Sequence, residues 1–229
     1  MSSFPGDKYN AVLFDLDGTL VDTAPDMVAV LQSLQVDNKV EPVSYELGRS
    51  YVSNGALGLL RLGFPTADDE KIESLRPEFL GRYAARIADS STVFPGLDTL
   101  IDQLDASSLP WGVVTNKPEF LTEPLMLALQ LAARAACCVS GDTLPQRKPD
   151  PAPLQHACEL AGIDAGSTLY LGDSSRDIAA GRAAGMGTVA AAYGYITPDD
   201  SADRWGADVV TESTEELTQI VLKAVNLDG

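Results

Sequence analysis

Histidine occurs once in this 229-residue chain, cysteine three times, and lysine plus arginine number 16 against 33 aspartates and glutamates. Each shortage removes a class of function. A histidine-rich zinc site or a serine-type triad needs imidazole at the reacting group. The lone His156 falls on a helical pattern, where it reads as a packing or surface residue. Cys137, Cys138 and Cys158 are odd in number and lack the spacing of a disulfide framework or a paired metal-ligand motif, which suits small core residues in a reducing compartment. A net charge of -17 repels nucleic-acid backbones and anionic membrane surfaces, since both need a field of opposite sign. The chain has no G-x-x-x-x-G-K-[ST] loop for a nucleotide. No apolar run approaches the roughly 20 residues that span a bilayer. Met1 to Asn10 has neither the basic start nor the apolar stretch of a secretory leader. The expected setting is the cytoplasm, with no nucleic-acid or membrane partner.

What is present is an ordinary globular composition, 45% hydrophobic and 21% charged, long enough for one large α/β domain or a core with an insertion. The apolar run from Ala11 to Phe14 suits a buried central strand. Similar runs recur from Trp111 to Val114, Ala136 to Val139, Thr168 to Leu171, Thr188 to Ala192 and Asp208 to Val210. Helical spacings alternate with them, at Leu97, Leu100, Ile101 and Leu104, at Leu121, Leu125 and Leu129, from Leu154 to Ile163 and from Ile178 to Ala184. This alternation predicts a doubly wound parallel sheet.

Between Ala24 and about Ser90 only helical periodicity is found, in Met27, Val28, Leu31 and Leu34, in Leu57 to Leu62, and in Ile72, Leu75, Phe79, Tyr83 and Ile87. The expected organisation is an α/β core of residues 1–22 and 91–229 carrying an all-helical cap of residues 23–90. Thr23-Ala24-Pro25 and the stretch from Thr92 to Gly96 serve as its hinges. A closing helix begins near Ser213, with Glu216 spaced for a capping box.

Carboxylates carry the chemistry. Asp15 and Asp17 stand one residue apart at the carboxyl end of the first predicted strand, the edge at which open α/β sheets bind ligands. Gly18 lets the backbone turn tightly, and Thr19 offers a hydroxyl and a backbone N–H to a phosphate oxygen. An isolated D-x-D reads equally well as a polar strand end and turn. A calcium loop requires glycine at its sixth position and glutamate at its twelfth, where this chain has Leu20 and Asp26.

Three further strand ends complete the set. Thr115 and Asn116 can hydrogen-bond a phosphoryl oxygen; Lys148, beside Pro149, can neutralise phosphate charge and orient Asp15. Asp173 and Asp177 stand four apart, on one face of a starting helix. Singly, each has a structural use as turn residue, surface charge or N-cap. Together, four carboxylates meeting one lysine at a sheet edge repel strongly unless a divalent cation joins them. Hard oxygen ligands with room for water and phosphate suit Mg²⁺ better than zinc.

The ordered set Asp15-Leu16-Asp17-Gly18-Thr19, then Thr115-Asn116-Lys117-Pro118, then Lys148, then Gly172-Asp173 with Asp177, resembles the four motifs of the haloacid dehalogenase (HAD) superfamily, in the branch containing phosphoglycolate phosphatase. The resemblance runs through nearly the whole chain. It implies a HAD-like Rossmannoid core and a Mg²⁺-dependent phosphatase acting on a small phosphorylated metabolite. By the same resemblance Asp15 is the nucleophile that forms an aspartyl-phosphate, and Asp17 is the acid and then the base. Gly18, Thr19, Thr115, Asn116 and Lys148 hold the phosphoryl group. Asp15, Asp17 through its main-chain carbonyl, and Asp173 bind Mg²⁺, with Asp177 in support.

A dehalogenase of this superfamily lacks the second aspartate, so that activity fits poorly. The stretches Asp22 to Asp26 and Val52 to Ala56 resemble phosphoglycolate phosphatase caps. Trp111 to Pro118, Tyr193 to Asp200 and Trp205 to Asp208 are similar to N-acetylmuramic acid 6-phosphate phosphatases of peptidoglycan recycling. Phosphoglycolate phosphatase activity is the first expectation and N-acetylmuramic acid 6-phosphate the alternative substrate. A sugar-phosphate mutase or a catalytically silent binding module ranks below both.

Overall fold

A computed structural model describes residues 9–227; Met1 to Lys8, most of the stretch read above for a leader, and the last two residues of the expected core lie outside that range. The chain opens with β1 (Ala11–Phe14) and the two-residue β2 (Val21–Asp22), followed by four helices: α1 (Ala24–Asp37), α2 (Tyr45–Ser50), α3 (Gly55–Gly63) and α4 (Asp69–Ala84). It returns through β3 (Thr92–Val93) to α5 (Leu97–Ala106), β4 (Trp111–Val114), α6 (Glu119–Ala128) and β5 (Cys137–Val139). The remainder is α7 (Ala152–Ala161), β6 (Thr168–Gly172), α8 (Ser175–Ala183), β7 (Gly187–Ala191), β8 (Val209–Thr211) and α9 (Thr214–Ala224).

Six strands form one parallel sheet in the order β5-β4-β1-β6-β7-β8. β1 lies between β4 and β6, with Phe14 opposite Val113 on one side and Leu171 on the other. The strand order reverses at β1, and that reversal opens a crevice beyond its carboxyl end. Helices cover both faces, which is why β1 reads as an unbroken apolar run rather than an alternating one. Val12 and Phe14 share a cluster with Leu100 of α5 and Leu217 of α9, while Leu13 faces Leu154 of α7 and Ala180 of α8. Alternate side chains of one strand thus serve the two layers.

All six predicted sheet strands are present. The passage into and out of the helical segment differs from a plain pair of hinges, because β2 and β3 pair antiparallel, Val21 with Val93 and Asp22 with Thr92. Asp26 reinforces the junction by accepting from the Ser91 N–H at 2.8 Å and its hydroxyl at 2.6 Å. Leu31, Leu34, Leu59, Leu60, Phe79 and Tyr83 of the helical segment are fully buried and continuous with the apolar layer on one face of the sheet. The expected capping box of α9 is half formed. The Ser213 hydroxyl accepts from the Glu216 N–H, but the Glu216 carboxylate accepts from the Glu212 N–H, one residue before the cap. No helix among the described residues is long and apolar enough to cross a membrane.

Candidate active site

The carboxyl ends of β1 and β6 deliver the first groups. The Asp15 N–H donates to Leu171 O at 2.8 Å, which extends the β1–β6 ladder by one residue and fixes the Asp15 backbone. Asp173 follows β6 directly, and Asp177 sits in the first turn of α8. Carboxylate oxygens of Asp15, Asp173 and Asp177 lie within 4.8 Å of one another. Lys148 enters from the loop before α7 and lies between two of them, with Nζ 2.8 Å from Asp15 Oδ1 and 2.7 Å from Asp177 Oδ1. Val114 O at 2.9 Å and the Tyr170 hydroxyl at 2.8 Å complete its shell, so the ammonium has four acceptors around it and no freedom to swing away.

Burial raises the Asp15 pKa to about 6 from an ordinary 3.8, with Lys148 opposing the rise and Asp177 adding to it. Asp173 is driven well above the usual carboxylate range by burial and then by the charges of Asp15 and Asp177. Burial works against the Lys148 charge, yet Asp15 and Asp177 outweigh it and hold the ammonium above its ordinary pKa. One ammonium does not neutralise three carboxylates. Asp173 Oδ1 is moreover buried without any hydrogen-bond partner. A surplus of negative charge, hard oxygen donors and an orphaned lone pair fit a cation of the Mg²⁺ type.

Asp17 stands apart from that cluster. Its Oδ1 accepts from the Thr23 hydroxyl at 2.6 Å and from Lys117 Nζ at 2.9 Å. Lys117 has no role in the sequence analysis above, although it lies in the Thr115-Asn116-Lys117-Pro118 run. Its position directly after two residues chosen for phosphate binding was the available signal. Lys117 also donates to the Tyr83 hydroxyl at 2.9 Å and lies 4.5 Å from the centre of that ring.

The expected phosphate-binding residues divide. Thr115 lines the cavity, and its hydroxyl oxygen accepts from the Lys117 N–H at 3.1 Å, leaving its own proton to donate. The Asn116 carboxamide is occupied by the Lys148 main chain, donating to Lys148 O at 3.0 Å and accepting from its N–H at 3.1 Å. It therefore sets the Lys148 loop. Gly18 has φ +84°, and a Cβ there would collide with the Asp173 carboxylate, so the turn and the close approach both require glycine. Thr19 is fully buried away from the cavity wall, with its hydroxyl unpartnered and its carbonyl accepting from the Tyr193 hydroxyl at 2.8 Å.

Asp15 and Asp17 open into a cavity of about 350 Å³ walled on the other side by residues of the helical segment. Arg76, Lys117, Arg147, Lys148 and Arg176 all line it. Nearly a third of the basic residues of an acidic chain therefore line one cavity, against the three carboxylates Asp15, Asp17 and Asp177. His156 is on α7, 3.6 Å from Glu159, and is not part of this wall.

Comparison with known proteins agrees with this geometry. The family model described as haloacid dehalogenase-like hydrolase matches residues 12–191. An N-acetylmuramic acid 6-phosphate phosphatase of Pseudomonas aeruginosa is 42% identical over 219 residues, covering 95% of this chain and 97% of its own. A phosphoglycolate phosphatase of Xanthomonas campestris is 41% identical over 207 residues, covering 90% and 94%. Among solved structures, a predicted phosphoglycolate phosphatase from Haemophilus somnus superposes with a TM-score of 0.82 at 25% identity, covering 95% of this chain and 98% of that one. The chain belongs to the haloacid dehalogenase-like hydrolase family, and within it to the phosphatases.

Proposed function

We propose that this phosphatase hydrolyses a small, carboxylate-bearing phosphomonoester in the cytoplasm through an aspartyl-phosphate on Asp15. One observation carries the reading: Asp15 lines the cavity while Lys148 holds its Oδ1 at 2.8 Å, which leaves the second oxygen as the attacking atom. With a pKa of about 6, that carboxylate is largely ionised at neutral pH. As its oxygen bonds to phosphorus, the ester bond breaks and Asp17, which must enter the turnover protonated, gives its proton to the departing alkoxide and is left as the carboxylate that Lys117 pairs. Water then attacks the phosphorus of the aspartyl-phosphate, Asp17 takes up the proton, and Asp15 and inorganic phosphate are released. Lys148 and Thr115 stabilise the transferring group, Asn116 holds the Lys148 loop, and Lys117 with Thr23 fixes Asp17. Gly18 and Thr19 act as the turn that admits Asp173.

Asp15, Asp173 and the main-chain carbonyl of Asp17 would hold Mg²⁺, with Asp177 in support. When bound, the cation supplies positive charge that lets carboxylates and phosphate share one site. Residues 23–90 act as a cap over the core of residues 1–22 and 91–229, excluding water and selecting substrate.

The cavity supports N-acetylmuramic acid 6-phosphate over 2-phosphoglycolate, the reverse of the order drawn from the motifs. A two-carbon ester leaves most of about 350 Å³ empty and the apolar walls of Met27, Leu57 and Leu80 wet. A hexose with acetyl and lactyl groups covers them, as ligand pockets generally require. The relative from Pseudomonas aeruginosa carries that activity in its name. The test is a phosphomonoester panel in Mg²⁺ and in EDTA. The expected result is Mg²⁺-dependent turnover with kcat/KM for the amino-sugar phosphate at least about tenfold above 2-phosphoglycolate, a difference of about 1.4 kcal/mol. Preference for the two-carbon ester would reverse the ranking, and turnover unchanged in EDTA would remove the cation.

A further inference from the structure

The two oxygens of Asp173 have different surroundings. Oδ2 accepts from the Ser53 hydroxyl at 2.7 Å and from the Tyr195 N–H at 2.8 Å. Oδ1 is buried and unpartnered, and the Asp173 carboxylate belongs to the cluster with Asp15 and Asp177. Rotating this carboxylate would break both bonds to Oδ2, so those two donors decide where Oδ1 points.

Both donors lead back to the helical segment. Ser53 lies in the short turn Val52–Asn54 between α2 and α3, and its carbonyl accepts from Arg176 Nη2 at 2.7 Å, beside Asp177. The Tyr195 hydroxyl accepts from the N–H groups of Thr23 at 2.7 Å and Ala24 at 3.0 Å, at the start of α1, and donates to Asp22 Oδ1 at 2.7 Å. The free oxygen of a core residue is therefore oriented by groups that the segment from 23 to 90 contacts in this structure.

We infer that Ser53 is a positioning residue for Asp173, and that cation affinity is coupled through it to the seating of the helical segment. This rests on the Mg²⁺ reading above. Groups that orient a metal-binding side chain without touching the metal typically contribute about 10–100-fold to affinity. Linkage makes the coupling reciprocal, so a bound cation favours the seated segment by the same factor. A purely structural Ser53 would alter thermal stability and leave metal affinity alone.

The test is calorimetric titration of the metal-free protein with MgCl₂, for wild type, Ser53→Ala, Ser53→Thr and Arg176→Gln. The expected result is affinity lower by about 10–100-fold in Ser53→Ala, near wild type in Ser53→Thr, and intermediate in Arg176→Gln. Equal affinity in wild type and Ser53→Ala overturns the inference while leaving the Mg²⁺ reading standing. Absence of binding by the wild type overturns both. Should Ser53→Ala fail to fold, Arg176→Gln decides, and unchanged affinity in that variant overturns the coupling.

Discussion

Lys117 and Asp17 form a partly buried ion pair, 2.9 Å from Nζ to Oδ1, and Tyr83 of the helical segment closes its other side at 2.9 Å. Burial disfavours the Lys117 charge, but Asp17 and Tyr83 more than offset it and hold the ammonium above its ordinary pKa. A pair of this kind contributes modestly as a unit, whereas removal of one partner leaves the other charge poorly compensated. The geometry thus makes the orientation of Asp17 depend on Lys117, which lines the same cavity.

Lys117→Met accordingly destabilises the fold by about 1–3 kcal/mol, less than for a fully buried pair because Asp17 lines the cavity and keeps the Thr23 hydroxyl. It also lowers kcat toward the loss of about 10²–10⁴ that removal of a general acid and base brings. Lys117→Arg recovers part of both. Urea denaturation and steady-state kinetics check the two effects separately, and near-normal kcat in Lys117→Met would remove the brace from the mechanism.

Asp173 is held in the fold against its own electrostatics, since burial and two neighbouring carboxylates all disfavour its charge. Asp173→Asn should therefore raise the thermal midpoint of the protein in EDTA. In the wild type, Mg²⁺ at a hundred times its Kd adds about 2.7 kcal/mol. For a chain of this size that corresponds to a rise of roughly 5–10 °C. The variant should show almost none of that rise, and an equal response to Mg²⁺ in both proteins would contradict the assignment of Asp173.

The Asp15 pKa of about 6 gives a pH signature in the metal-free state. Because the folded value lies above the ordinary 3.8, the folded chain holds this proton more tightly than the unfolded chain. Its stabilising contribution is complete below pH 3.8 and is lost as pH rises through about 6. Asp15→Asn lacks the effect. The stability of Asp15→Asn relative to wild type, measured by urea denaturation in EDTA, should rise between about pH 4 and pH 7, by on the order of 3 kcal/mol. A constant difference across that range would contradict the raised value.

Legibility in the sequence followed the length scale of each feature. The six sheet strands are legible because each is a short apolar run at a fully or largely buried position, and the strand-end carboxylates stand out against those runs. β2 and β3 are two residues each, too short for any period to register, and α2 is six residues with only Gly48 buried. Asp15, Asp17, Lys148, Asp173 and Asp177 could be collected because the strand ends of a doubly wound sheet converge at one edge. The contacts that tune them could not. Nothing near Lys117 shows that its ammonium turns to Asp17, 100 positions away in sequence. The Ser53 bond to Asp173 spans 120 positions, and Thr19 looks locally like a phosphate donor although the fold buries its hydroxyl.

The central claim is the covalent one, and trapping tests it most directly. The enzyme is mixed with its phosphomonoester and MgCl₂, quenched in acid within milliseconds, digested and examined by mass spectrometry, for wild type and for Asp17→Asn. The account predicts a peptide containing Asp15 that carries the mass of one phosphoryl group in the wild type, formed more slowly in Asp17→Asn but longer-lived once formed, since water is no longer activated. No phosphorylated peptide at any quench time during active turnover, or a phosphoryl group on a residue other than Asp15, would contradict it.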